Sequence, residues 1–142
     1  MQQRHPGFRI LEHPADLGIE AHGSTLQEAF VSAAEGMMSV IVDLTTVDAR
    51  ETRTVEIGAG DPAQLLVRWL TEVLYYYDGR QFISKEFTMT TFEPTRLRAT
   101  LAGEQVSLPK HRTLLDVKAV TYHQIEVTMD EDGARVRVFL DI

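Results

Sequence analysis

The sequence predicts an α+β domain with a mainly antiparallel or mixed β-sheet core and two principal helices. Three observations carry that expectation. Most of the chain reads as short segments in which apolar and polar residues alternate with period two. Two segments instead carry apolar residues at helical spacing, each opened by a recognisable cap. The order is strand, strand, helix, strand, helix and then a run of strands. That order lacks the regular strand–helix alternation a doubly wound parallel sheet requires. At 142 residues the chain is long enough for one domain, 1–142, with a substantial core.

Segments 8–12 and 17–22 read as short strands flanking His13-Pro14-Ala15-Asp16. Pro14 holds His13 out of the helical region, which makes that stretch a turn or loop. Thr25 with Glu28 fits a capping box, opening a helix to about Ile41 with Leu26, Ala29, Phe30, Ala33, Met37 and Ile41 as its apolar stripe. Segment 52–58 alternates as a strand. Asp61-Pro62 supplies a cap and a proline at the first helical position. The helix it opens runs to about Tyr77, with Leu66, Trp69, Leu70, Val73, Leu74 and Tyr77 on a broad apolar face. That breadth predicts that the second helix is the better buried of the two. Strands are predicted over 81–90, 95–102, 114–122, 125–129 and 134–142, with 130–133 as the turn of a closing hairpin.

Hydrophobic content of 44% and charged content of 25% describe a globular chain. A net charge of −7 argues against gripping nucleic acid through non-specific phosphate contacts. The absence of cysteine excludes disulfides, thiolate nucleophiles and cysteine-based zinc sites. No signal pattern and no apolar run of membrane-spanning length is visible, so a soluble, cytoplasmic protein is expected. There is no glycine-rich phosphate loop, no Gly-x-Ser-x-Gly elbow and no His-Glu-x-x-His.

The closing segment 134–142 alternates cleanly, with Val136, Val138, Leu140 and Ile142 on one face and Arg135, Arg137, Phe139 and Asp141 on the other. A chain ending there places the Asp141 side chain and the α-carboxylate of Ile142 within one residue of each other. Two clustered carboxylates suit a hard cation; a strand that simply ends in a solvated aspartate is the commoner arrangement. Asp16 offers a carboxylate and His13 an imidazole, although local pattern favours Asp16 as a turn cap. In 117–123, period two puts Val117, Ala119, Thr121 and His123 on one face and Lys118, Val120 and Tyr122 on the other. Lys118 near a carboxylate cluster could hold an anion such as a nucleotide phosphate, or else lie solvated over the sheet. His123 reads equally as a ligand or proton carrier and as an ordinary strand-end histidine.

Three features carry less weight. Lys110-His111-Arg112 is a small basic cluster, read as a solvated turn ahead of an anion or RNA contact. Tyr75-Tyr76-Tyr77 covers the end of the second helix, with one ring left for a partner surface. Asp130, Glu131, Asp132 and Gly133 do not match the spacing of an EF-hand calcium loop.

Taken together, these blocks resemble the archease family. The resemblance runs through Glu12-His13-Pro14-Ala15-Asp16-Leu17-Gly18-Ile19, Thr25-Leu26-Gln27-Glu28-Ala29-Phe30, Leu65-Leu66, Trp69-Leu70-Thr71-Glu72-Val73-Leu74-Tyr75, Val117-Lys118-Ala119-Val120-Thr121-Tyr122-His123 and Phe139-Leu140-Asp141-Ile142. One departure is Pro14, where the family usually carries threonine. The resemblance implies a non-enzymatic activator of an RtcB-type RNA ligase in tRNA splicing or RNA repair. Such a partner promotes guanylylation and lets the ligase turn over repeatedly. It also implies a divalent-cation site (Ca2+, Mg2+ or Mn2+) formed by Asp16, Asp141 and the Ile142 carboxylate, with metal occupancy stabilising the fold. Lys118 and His123 are the candidate nucleotide contacts, with GTP at the ligase interface, RNA reached only through the ligase, and no membrane. The alternatives are a metal-dependent nucleotide phosphohydrolase and a metal-independent, chaperone-like module for an RNA-processing partner.

Overall fold

The computed structural model describes residues 4–12 and 16–142. Among these residues two antiparallel sheets enclose two helices. The strands are β1 (Gly7–Glu12), β2 (Asp16–Gly23), β3 (Glu51–Gly58), β4 (Phe82–Glu93), β5 (Arg96–Gln105), β6 (Ala119–Asp130) and β7 (Gly133–Asp141). The helices are α1 (Leu26–Ile41) and α2 (Pro62–Arg80), and a single 3-10 turn spans Leu44–Thr46. One sheet has the order β1-β2-β7-β6 and the other β3-β5-β4. Every strand pairing among the described residues is antiparallel.

Both helices start where their caps predict. The Thr25 hydroxyl accepts the Glu28 N–H at 3.2 Å, and the Asp61 carboxylate accepts the Gln64 N–H at 2.8 Å. The Glu28 carboxylate also reaches one residue beyond the capping-box position and takes the Ser24 N–H at 2.7 Å. Helix α2 continues to Arg80, past the expected end at Tyr77. It closes on Gln81 in the left-handed conformation, whose N–H bonds back to Tyr76 and Tyr77.

Each helix packs on strands of both sheets and the two pack on each other, so the core lies between the sheets. Phe30 of α1 meets Phe92 of β4 edge to face at 5.1 Å, and Trp69 of α2 meets Phe87 at 5.8 Å. The expectation that α2 is the better buried helix is corrected. Helix α1 buries Ser32, Ala34 and Gly36 beyond its apolar stripe, with Glu28, Val31 and Glu35 half-buried on the remaining face, because it is flanked by β1, β2, β7 and β4. Helix α2 keeps Arg68, Thr71 and Tyr75 exposed.

The expected strands at 114–122 and 125–129 are also corrected. They form one strand, β6, which begins only at Ala119 and carries an irregularity between Thr121 and Glu126. The preceding leucines are occupied elsewhere: the Leu114 and Leu115 N–H groups donate to Ile41 and Val40 carbonyls at 2.8 and 3.0 Å. They satisfy the end of α1 rather than a sheet.

Candidate functional site

Strands β2 and β7 come from opposite ends of the chain and pair so that Asp16 faces Asp141 directly. Pleating then puts both carboxylates on the outer face of the four-stranded sheet, away from Leu17, Ile19, Val138 and Leu140, which are buried. Asp16 is therefore the first residue of β2, whereas the sequence placed it in a turn or loop. Ala119 of β6 pairs with Asp141 from the other side. The Lys118 N–H donates to the Asp141 carbonyl at 2.7 Å, closing this end of the ladder. Lys118 is thus tied to the aspartate pair through its backbone, and its side chain is exposed. Ile142 packs partly against the core. His13, Pro14 and Ala15 lie outside the described residues, and so do the expectations placed on them.

The outer face is ordered in rows across the strands. Below the aspartates, Leu11, Gly18, Phe139 and Thr121 stand opposite one another. Phe139 is only 2% exposed although it points away from the core. Its ring lies over Gly18, where an added Cβ would sit 2.8 Å from Phe139 Cε1. Glycine is needed there for close approach, not for backbone freedom. His123 packs its ring on Phe139 edge to face at 6.0 Å. It sits in the β6 irregularity next to Gln124, whose φ is +49°. The alternation expected through 117–123 is broken there, and among the described residues His123 joins no group of three metal-ligating side chains. The next row alternates in charge: Arg9, Glu20, Arg137 and Glu126. Arg9 and His22 reach Glu20 at 3.0 and 3.1 Å, and Arg137 reaches Glu126 at 3.1 Å.

Among the described residues no three His, Asp or Glu side chains converge as a metal cluster. The chemistry of the donor set nevertheless suits a hard divalent cation, since facing cross-strand carboxylates supply oxygen ligands on a rigid ladder. Two side chains alone leave most coordination positions to other oxygens.

Lys110-His111-Arg112 is not the solvated turn the sequence suggested. His111 is buried, its Nδ1 accepting the Ser107 N–H at 2.9 Å, so Nε2 carries the proton and donates to Glu104 at 2.9 Å. Lys110 bridges Asp48 and Glu104, each at 2.8 Å. The signal that could have located this clamp is Glu104 itself, a carboxylate at the end of β5 only seven residues before His111. The Asp48 N–H, then Lys110 and His111, hold the Glu104 carboxyl down to about 2 from its ordinary 4.5. A depressed carboxylate contributes stability that is present above about pH 4.5 and is lost as pH falls through about 2. Glu104→Gln is expected to lower the melting temperature at neutral pH and to flatten the loss between pH 4.5 and 2. Thermal melts across that range check it, and parallel acid limbs in variant and wild type would refute the assignment.

The family model of the Archease protein family matches residues 8–142. The chain belongs to the archease family. The protein archease of Methanothermobacter thermautotrophicus is 37% identical over 140 residues, covering 96% of this chain and 99% of that relative. The archease of Methanosarcina acetivorans is 34% identical over 139 residues, covering 95% of each. Among solved structures, the solution structure of Methanobacterium thermoautotrophicum protein 1598 superposes with a TM-score of 0.82 at 34% identity. That match covers 96% of this chain and 99% of the other. The crystal structure of a Thermotoga maritima archease, described as a possible chaperone, shares the fold with a TM-score of 0.61 at 15% identity. It covers 94% of this chain and 96% of the other. No helix among the described residues is long and apolar enough to cross a membrane.

Proposed function

We propose that this archease activates an RtcB-type RNA ligase, promoting its guanylylation and multiple turnover, through a divalent-cation site at Asp16, Asp141 and the α-carboxylate of Ile142. The observation that carries this reading is the direct pairing of Asp16 with Asp141 in a chain of this family. A bound cation would supply positive charge that attracts the phosphate oxygens of a nucleotide. The chain's own part is to hold the two carboxylates at fixed separation on a paired ladder, which costs little further ordering at the moment of binding. Lys118 adds an exposed ammonium next in chain to the strand that flanks Asp141, and His123 adds an imidazole further along that strand. The net charge of −7 favours encounter with a basic, RNA-handling partner.

The deciding assay measures ligase guanylylation and multiple-turnover sealing with wild type, Asp16→Ala, Asp141→Ala and a chain extended past Ile142. The three variants are expected to lose at least about tenfold in stimulation, the effect of removing one charge-assisted contact. Full stimulation by all three, with folds intact by circular dichroism, would sink the metal-site mechanism. Metal-independent stimulation would favour a chaperone-like module, and nucleotide hydrolysis by the purified chain alone a phosphohydrolase.

A further inference from the structure

At the far end of α2 a cavity of about 420 Å³ is lined by Tyr77, Asp78, Gln81, Val106, Leu108 and Asp116. Its size falls in the lower part of the range for ligand pockets, roughly 300–1,000 Å³. Two carboxylates line it and no cation does. The C-terminus of α2 adds the negative end of the helix dipole. Partial burial, and then the Asp116 charge, push the Asp78 carboxyl above its ordinary value, as expected where like charges lie near each other.

Two cations of the flanking segments are committed elsewhere: Arg80 stacks over the Tyr75 and Tyr76 rings at 5.7 and 5.3 Å, and Lys110 is held by Asp48 and Glu104.

Leu108, in the lining, is 73% exposed, and the same segment 106–118 also exposes Leu114 at 49% and Leu115 at 45%. That segment is pinned along its length: Val106 N–H to the Gln81 carbonyl, Asp43 N–H to that of Arg112, and the Leu114 and Leu115 N–H groups to the end of α1. A largely exposed leucine on a pinned backbone, at the edge of an acidic hollow, suits a surface that another molecule covers.

We propose that this hollow, with Leu108 at its edge, is a docking surface for a basic segment of a partner protein, with an arginine side chain inserted between Asp78 and Asp116. Its guanidinium would pair with the two carboxylates beside the Tyr77 ring, and its methylenes would cover Leu108 and Val106. The acidic lining disfavours a nucleotide phosphate in the same place. Asp116 is two residues from Lys118 in the chain, so a segment docked here would run beside the aspartate pair. The inference does not rest on metal binding at that pair.

Amide-resolved NMR of the intact chain, in buffer with chelator and no ligase, tests it by titration with acetyl-Leu-Arg-Gly-amide and with its citrulline counterpart. Shifts are expected at Asp78, Gln81, Val106 and Asp116, with the neutral citrulline peptide binding about tenfold more weakly. The Asp78→Asn/Asp116→Asn chain, which removes repulsion and should fold at least as well, is expected to lose the arginine preference. No shifts at these residues up to about 20 mM peptide, a dissociation constant too weak to matter, would overturn the proposal. Equal response to citrulline, or an unchanged response in the double variant, would do so too. So would displacement of the arginine peptide from these residues by calcium chloride, which would make the hollow a cation site.

Discussion

Calcium added to metal-free wild-type chain is expected to raise its melting temperature, and Asp141→Asn is expected to abolish the rise. The folded ladder brings Asp16 and Asp141 face to face, whereas the unfolded chain holds them at opposite ends of the sequence. A cation that needs both carboxylates therefore binds the folded state alone and stabilises it by mass action. At a concentration one hundred times the dissociation constant the gain is about 2.7 kcal/mol. For a chain of this length that is roughly 6–12 °C. Without metal the sign reverses. Carboxylates directly opposite each other repel, by about 0.2–1 kcal/mol for an exposed cross-strand pair, so Asp141→Asn is expected to match or slightly exceed wild type in chelator. Differential scanning calorimetry with and without calcium reads both effects, and an equal calcium shift in wild type, Asp16→Asn and Asp141→Asn would remove the pair from metal binding.

Trp69→Ala is expected to have the larger effect on the fold itself. Trp69 is fully buried and ties three elements together. It stands on α2, its indole N–H donates to the Phe30 carbonyl of α1 at 3.0 Å, and its ring packs edge to face on Phe87 of β4. Truncation removes the ring's buried area and leaves a cavity that the flanking helix and sheet can only partly close, a loss of about 3–5 kcal/mol. Against a total of about 5–15 kcal/mol, the variant should be folded but fragile. Trp69→Phe keeps most of the volume and loses the hydrogen bond, and about 1–2 kcal/mol is expected. Because Trp69 is the only tryptophan, urea unfolding must be followed by far-ultraviolet circular dichroism. A loss under about 1 kcal/mol for the alanine variant would mean the site collapses freely, contrary to the packing described.

How much of this was legible in the sequence differs element by element. The caps at Thr25 and Asp61 act through neighbours three residues away, and both helices begin where expected. The hairpin turn at Asp130–Gly133 is equally local, and strands β2 and β7 announce themselves by alternation. Segment 114–117 was misread because Leu114, Leu115 and Val117 look like a strand, while the partner that satisfies the leucine N–H groups is the end of α1. Lys110-His111-Arg112 was misread for the same reason: Glu104 and Asp48 are distant in sequence and decide its environment. The relative burial of the helices was reversed because a helix flanked by two sheets buries small and polar residues along with its apolar stripe.

Local spacing, then, was enough to determine that Asp141 and Phe139 share one strand face and where both helices begin, because pleat and cap depend on residues a few positions apart, whereas it left Asp16 in a turn rather than at the start of β2. Only the tertiary structure decided that β2 lies beside β7 in the register that sets Asp16 opposite Asp141, with Phe139 across Gly18. Register between strands from opposite ends of a chain is fixed by which buried faces match across the whole sheet. The hollow between α2 and the 106–118 segment arises in the same way, from surfaces that become neighbours only when the core closes.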